Sequence, residues 1–242
     1  GHNLTLLEFF CQTKPSLPVM PTSPTKQPVT ESQQIVKGKR PSASSALKRD
    51  IILRAARRVF EAEGLEGASL RAIAKEAGYT PAALYFHFDS KEAVYAELLT
   101  HSLTTLNADI AAAIQQADTP VQRLKASAIA FFNYYQTNPG DLDLGFYLFR
   151  GGMKPKGLGR ARDAELNQQL QSSLQPITDA ALAMGASATH ANEITASVFA
   201  YATGLLLLAH TGRIRIFNAS AEQMMASFSD TLTTRIDGEI PC

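Results

Sequence analysis

Ala77-Gly78-Tyr79-Thr80-Pro81-Ala82-Ala83-Leu84-Tyr85-Phe86-His87-Phe88-Asp89-Ser90-Lys91-Glu92-Ala93-Val94 holds one helix stop and two helix starts in a single short run. Gly78 supplies a tight turn, because a residue without Cβ enters backbone conformations that cost other residues steric energy. Thr80-Pro81 then opens a helix: the hydroxyl caps it, and proline takes the first helical position, where its missing N–H does no harm. That helix is expected from roughly Pro81 to Phe88, and Ser90 caps the next, with Lys91 and Glu92 in its first turn.

Working back from the turn, Leu70, Ile73, Ala74 and Ala77 repeat at helical spacing behind a capping Ser69. Before them Ile52, Ala55, Ala56, Val59 and Phe60 form one helical face, with Arg54, Arg57, Arg58 and Glu61 expected on the other and Gly64 and Gly67 ending the helix. Two short helices joined by a glycine turn after a longer one make an arrangement in which the second of the pair can enter a DNA major groove.

Working forward, Val94, Leu98, Leu99, Leu103, Leu106 and Ile110 continue the fourth helix. Thr119-Pro120 repeats the cap-plus-proline signal, and the helix it opens stops at Asn138-Pro139-Gly140. Further helices are expected at about 141–150, 160–184, 188–210 and 220–236, the last opening with Ser220 and Gln223 at capping-box spacing. Arg213-Ile214-Arg215-Ile216 alternates like a strand, but its short length between Gly212 and Asn218 reads as a connector. The fold class is all-α.

The chain has 242 residues, 45% of them hydrophobic, enough for a sizeable core. A net charge of +1 gives no global attraction to nucleic acid, so any such contact has to come from local cations and helix ends. Cys11 and Cys242 are too far apart in sequence to suggest a disulfide framework, which fits a reducing cytoplasm. The apolar run Val198–His210 is too short to cross a bilayer, so no membrane association is expected. Gly1 and His2 read as the remnant of a cleaved purification tag, and the apolar Leu4–Cys11 lacks the basic flank and cleavage site of a signal peptide. From Lys14 to Ser45 the chain is rich in Pro, Ser, Thr, Gln and Lys, and residues 1–45 are expected to form a flexible arm. Its basic end, Lys37-Gly38-Lys39-Arg40 followed shortly by Lys48-Arg49, is either a solvated tail or an arm that follows DNA.

Read together, Phe60 to Val94 closely resembles the signature of the TetR (tetracycline-repressor) family, over about Leu47 to Leu99. The resemblance implies a helix-turn-helix DNA-binding domain at 46–92 and a helical ligand-binding and dimerisation domain at 93–238. It implies a homodimer that binds a near-palindromic double-stranded DNA operator and answers to a small-molecule effector. An activator with the same DNA head, and a small-molecule binding module with a vestigial head, are the alternatives. The candidate DNA-contacting residues are Lys48, Ser69, Tyr79, Thr80, Pro81, Ala82, Ala83, Tyr85, Phe86, His87 and Lys91. Small Ala82 and Ala83 permit close approach to base edges, while Thr80, Tyr85, His87 and Lys91 are expected to donate to phosphates. Leu84 and Phe88 are expected to pack inward. The family usually carries glycine or another small residue near Ala82.

In the body, Phe131, Tyr134, Tyr135, Phe146, Tyr147, Phe149, Met184 and Tyr201 are either core or the lining of an effector pocket. Few charges fall in these helices, which points to an apolar or aromatic effector. The helices at 188–210 and 220–236 are expected to supply a twofold four-helix dimer face. Serines lack a nucleophile elbow, the five histidines lack metal-ligand spacing, and no paired acids stand out, so neither enzyme activity nor a cofactor or metal is expected.

Overall fold

The computed structural model of the chain describes residues 43–145 and 157–238. The basic segment before Ala43, and Phe146, Tyr147 and Phe149 among the expected pocket residues, lie outside the described residues. Among the described residues nine α-helices follow one another: α1 (Ala43–Gly67), α2 (Leu70–Ala77), α3 (Pro81–Tyr85), α4 (Lys91–Ile114), α5 (Pro120–Thr137), α6 (Pro139–Gly145), α7 (Arg160–Ala183), α8 (Ala188–His210) and α9 (Ala221–Gly238). A 3-10 turn, Arg213–Phe217, joins the last two, so the alternating Arg-Ile segment is a connector, and the described residues contain no strand.

Local chemistry sets most of the boundaries. Ser69, Thr80, Ser90, Thr119 and Ser187 each cap a helix by accepting a backbone N–H, and Thr119 with Gln122 forms a complete capping box. At the end of α2, Gly78 sits in the left-handed region at φ 72°; its N–H donates to the Lys75 carbonyl, and the Tyr79 N–H donates to the Ala74 carbonyl. These paired bonds satisfy the last carbonyls of α2 and turn the chain into α3.

The expected boundaries needed three adjustments. Helix α1 begins at Ala43, three residues before the anticipated change at Ala46, and is interrupted at Gly64 (φ 69°, ψ 176°) before its final turn. Regular α-helix in α3 ends at Tyr85, and hydrogen-bonded turns close residues 87 and 88 onto the Leu84 carbonyl. Pro139 opens α6 after the single non-helical residue Asn138, two residues before the expected start, because proline is harmless at a helix start.

Helices α1 to α3 pack around Ile52, Phe60, Ile73, Leu84 and Phe88, and α1 then lies against α4, where Phe60 meets Tyr95 edge-on at 4.8 Å. In the body, α5 touches α4, α6, α7, α8 and α9, and so forms the centre of the bundle. Helix α8 extends the apolar run noted in the sequence to 23 residues, which makes it long and apolar enough to cross a membrane by length and composition. One face of it (Ala191, Ile194, Val198, Ala202, Leu205 and Leu206) is buried against α5, α7 and α9, while Leu207 is 59% exposed.

Candidate nucleic-acid interface

Helix α3 divides its side chains sharply. Leu84 and Phe88 are buried as expected, whereas Pro81 and Ala82 are exposed, Tyr85 is 57% exposed and Phe86 is 88% exposed. A phenyl ring this open to water burns hydrophobic free energy of about 1.5–3 kcal/mol that burial would recover. Neighbouring His87 is half-buried, with its ring edge-on to Phe86 at 5.6 Å. Tyr79 and Ala83 are half-buried at the rim, so Tyr79 to His87 form one continuous strip on the α2–α3 unit.

The hydroxyls of Ser69 and Thr80 lie exposed at the starts of α2 and α3. Ser69 accepts from the Ala72 N–H at 3.1 Å and Thr80 from the Ala83 N–H at 3.3 Å. A capping hydroxyl uses a lone pair and keeps its own O–H to donate, so the cap leaves each residue able to meet an acceptor such as a phosphate oxygen. Lys48 is exposed on α1.

Lys91 at the start of α4 is also tied into the fold. Its ammonium donates to the backbone carbonyls of Glu66 and Ala68, both at 3.1 Å, and so ties the start of α4 to the end of α1. The carbonyls at a helix end are electronegative and partly unsatisfied, so they attract a cation. Arg57 departs from expectation. Instead of lying on a solvated face of α1, it pairs with Asp141 on α6 and is only partly exposed.

The sequence marks Arg49 only as part of a basic stretch; its contacts were not foreseen. Its guanidinium pairs with Glu97, donates to the His87 carbonyl at 3.4 Å, and lies over the Phe88 ring at 4.4 Å from the centroid. It therefore fixes the end of the α3 strip to α1 and α4. Its partners are 38 and 48 residues away, so no local spacing could reveal it.

The remaining expected residues lie in the body. Phe131, Tyr134, Tyr135 and Met184 are buried, and Phe131 packs edge-on against Tyr135 and Phe199. The Tyr134 hydroxyl donates to Asp141 Oδ2 at 2.5 Å and lies 3.2 Å from the Ser102 hydroxyl. Burial, reinforced by the bond to Asp141, pushes the Tyr134 phenol well above its ordinary range; burial does the same at Tyr135, helped by the neighbouring Tyr134 and Asp141. Tyr201 lies elsewhere: it stacks on Phe228 with ring centroids 3.9 Å apart, beside an open recess of about 510 Å³ between α8 and α9 that Gln223, Met224 and Leu232 also line. Among the described residues no group of three or more His, Cys, Asp or Glu side chains is arranged to hold a metal ion.

A glycine-turned helix pair with an exposed second helix, set on a larger helical bundle, defines a helix-turn-helix protein with an appended body. Residues 52–98 match the family described as "Bacterial regulatory proteins, tetR family". Over those residues the chain is similar to the TetR family of bacterial regulatory proteins.

Curated relatives include the HTH-type transcriptional regulator BetI of Brucella canis, 33% identical over 37% of this chain and 46% of that protein. The transcriptional activator FasR and the transcriptional repressor KstR2, both of Mycolicibacterium smegmatis, are also 33% identical, over 37% and 36% of this chain and 41% and 42% of theirs. The match thus spans less than half the length of each of these relatives. Among solved structures, a bacterial regulatory protein in the tetR family from Rhodococcus RHA1 superimposes with a TM-score of 0.58 at 22% identity, covering 78% of this chain and 96% of that one. The likeness of fold therefore extends through the body, well beyond the likeness of sequence.

Proposed function

We propose that the protein is a ligand-responsive transcriptional regulator that binds a near-palindromic operator as a homodimer, with α3 of each protomer in successive major grooves about one helical turn apart. The observation that carries this reading is the exposed Tyr85–Phe86 edge on the glycine-turned α2–α3 unit, inside the segment that matches the family. Ala82 and Ala83 let the backbone approach base edges, the Ser69, Thr80 and Tyr85 hydroxyls and the His87 ring meet phosphates or bases, and Arg49 and Lys91 hold the strip in place. A DNA partner places the protein in the cytoplasm, and the reading assigns it no catalytic step.

The head at 46–92, lengthened by the first turn of α1, is the reading unit, and 93–238 is the body. An apolar or aromatic effector would enter among α4, α5, α7 and α8, where Phe131, Tyr134, Tyr135 and Met184 lie. Three ion pairs join body to head: Arg49 to Glu97, Arg57 to Asp141, and Arg162 of α7 to Asp89 at 3.1 Å; the last two reach α6 and α7. An effector that changes the seat of α6 or the start of α7 would move the head through these ties. It can shift the equilibrium only by its difference in affinity for the two states. Leu207 and the recess beside Tyr201 support α8 and α9 as the face that meets a second copy.

The test is capture of genomic DNA fragments by the purified full chain, followed by footprinting. A protected inverted repeat is the expected result. Diffuse binding that vanishes at moderate salt would instead favour a sensing module with a vestigial head. The position of the site relative to its promoter distinguishes repression from activation.

A further inference from the structure

The stretch from Tyr79 to His87 contains no Arg, Lys, Asn, Gln, Asp or Glu. Those are the side chains that read base edges by paired or charge-assisted hydrogen bonds: Arg and Lys on guanine, Asn and Gln on adenine, Asp and Glu on cytosine. Thr80, Tyr85 and His87 each offer a polar group, but none grips a base at two points as those side chains do. Arg71 and Lys75 are exposed on α2, the helix that crosses the duplex backbone in this motif, and so lie where phosphates are met. A reading helix of this composition has to tell bases apart largely with apolar surface.

Phe86 dominates that surface. At 88% exposure it is the most open large apolar side chain among the described residues. Its backbone is helical (φ −68°, ψ −27°), and its N–H donates to the Ala82 carbonyl at 3.3 Å. Spacings of three and four residues put the half-buried Ala83 and the exposed Ala82 on the same helical face as Phe86, so two methyl groups and a phenyl ring form one apolar patch. Both flanks of the ring are held. Leu84 and Phe88 are buried, the His87 ring stands edge-on to Phe86 at 5.6 Å, and the His87 carbonyl accepts from Arg49 at 3.4 Å. The ring thus projects from a fixed base with only its own two torsions left to settle on contact.

Resting on the operator-binding reading above, we propose that Phe86, with the Ala82 methyl beside it, recognises thymine by its 5-methyl group in the major groove, and that this contact is a main source of the sequence preference of α3. The thymine methyl is the one apolar group that base pairs present in that groove. Burying it against the ring removes apolar surface of both partners from water. Guanine, adenine or cytosine at the same place brings a polar edge against the ring, and its hydrogen-bonding groups lose water without gaining a partner. Attraction to thymine and exclusion of the other bases therefore come from the same side chain.

The experiment takes the full chain and the captured operator and replaces one thymine at a time, in both half-sites together, by deoxyuridine, which lacks the 5-methyl and keeps the pairing face. At one or two thymine positions the affinity of the parent chain is expected to fall about fifteenfold, roughly fourfold for each of the two methyls removed. Replacing thymines outside the protected repeat should leave it unchanged. Phe86→Ala should bind the unmodified operator about as weakly as the parent binds the deoxyuridine operator. The deoxyuridine change should then weaken that variant by less than about twofold, because both changes remove the same contact. Phe86→Leu keeps an apolar side chain and should keep most of the sensitivity to the methyl. A half-site in which no thymine methyl matters to the parent would overturn the proposal, as would a methyl that matters equally to Phe86→Ala. If the parent chain shows no preference for any operator, it is the functional reading that fails.

Discussion

Around α3 two aromatic rings stand in water and the capping hydroxyls meet backbone groups three positions along the chain, whereas in the body several hydroxyls are buried between helices. In the head, Ser69, Thr80 and Ser90 cap helices three residues ahead. In the body, Ser102 meets Tyr134 across α4 and α5, Thr178 meets Thr195 at 2.7 Å across α7 and α8, and Tyr134 continues to Asp141 and Arg57. A surface that must meet a partner can keep its chemistry local and exposed. A bundle that must respond as a unit joins its helices through buried polar contacts, which have discrete geometries and are costly to leave half-made.

The strongest way to break this contrast is at Asp141. Asp141→Ala strands the half-buried Arg57 and removes one acceptor of the Tyr134 hydroxyl, so a loss of about 2–3 kcal/mol is expected in chemical denaturation. Arg57→Met combined with Asp141→Leu should recover much of that loss, because apolar replacement of both partners removes the stranded charge. A loss under about 0.5 kcal/mol in the single variant would mean that the joint behaves like an exposed ion pair.

Gly78→Ala tests the local character of the head. A Cβ at this position meets nothing within 4 Å, so the whole penalty comes from φ 72° and should be about 1–2 kcal/mol. A much larger loss would imply packing around Gly78 that the structure lacks.

The smallest effect is confined to alkaline solution. The buried Tyr134 and Tyr135 phenols are raised above their ordinary value of 10.0, so they favour the folded chain fully below that pH. As pH climbs past 10.0 the unfolded phenols ionise while the folded ones resist, and stability falls. Tyr134→Phe should flatten that alkaline decline in thermal melts; an unchanged alkaline limb would assign it to other groups.

The same division between local and distant contacts governs how much could be read from sequence. Caps, the Gly78 turn, the inward Leu84 and Phe88 and the α8 and α9 spans were legible because each depends on neighbours a few residues away. Arg57 and Asp141 are 84 residues apart and Arg162 and Asp89 are 73 apart, and no periodicity links such pairs. The two carbonyls that Lys91 meets were not legible, because backbone acceptors carry no signature in sequence. The aromatic residues of α5 were ambiguous for a related reason: helical spacing selects a buried face, and a buried face can pack solid or line a cavity.

The central claim is that α3 reads DNA with side chains the fold does not need. Its most direct test is to measure operator affinity and thermal midpoint together for Tyr85→Ala/Phe86→Ala. At least a tenfold loss of affinity with a stability change within about 0.5 kcal/mol is the predicted result, as for an exposed site that serves only binding. Undiminished affinity, or a loss of affinity matched by unfolding of the head, would contradict it.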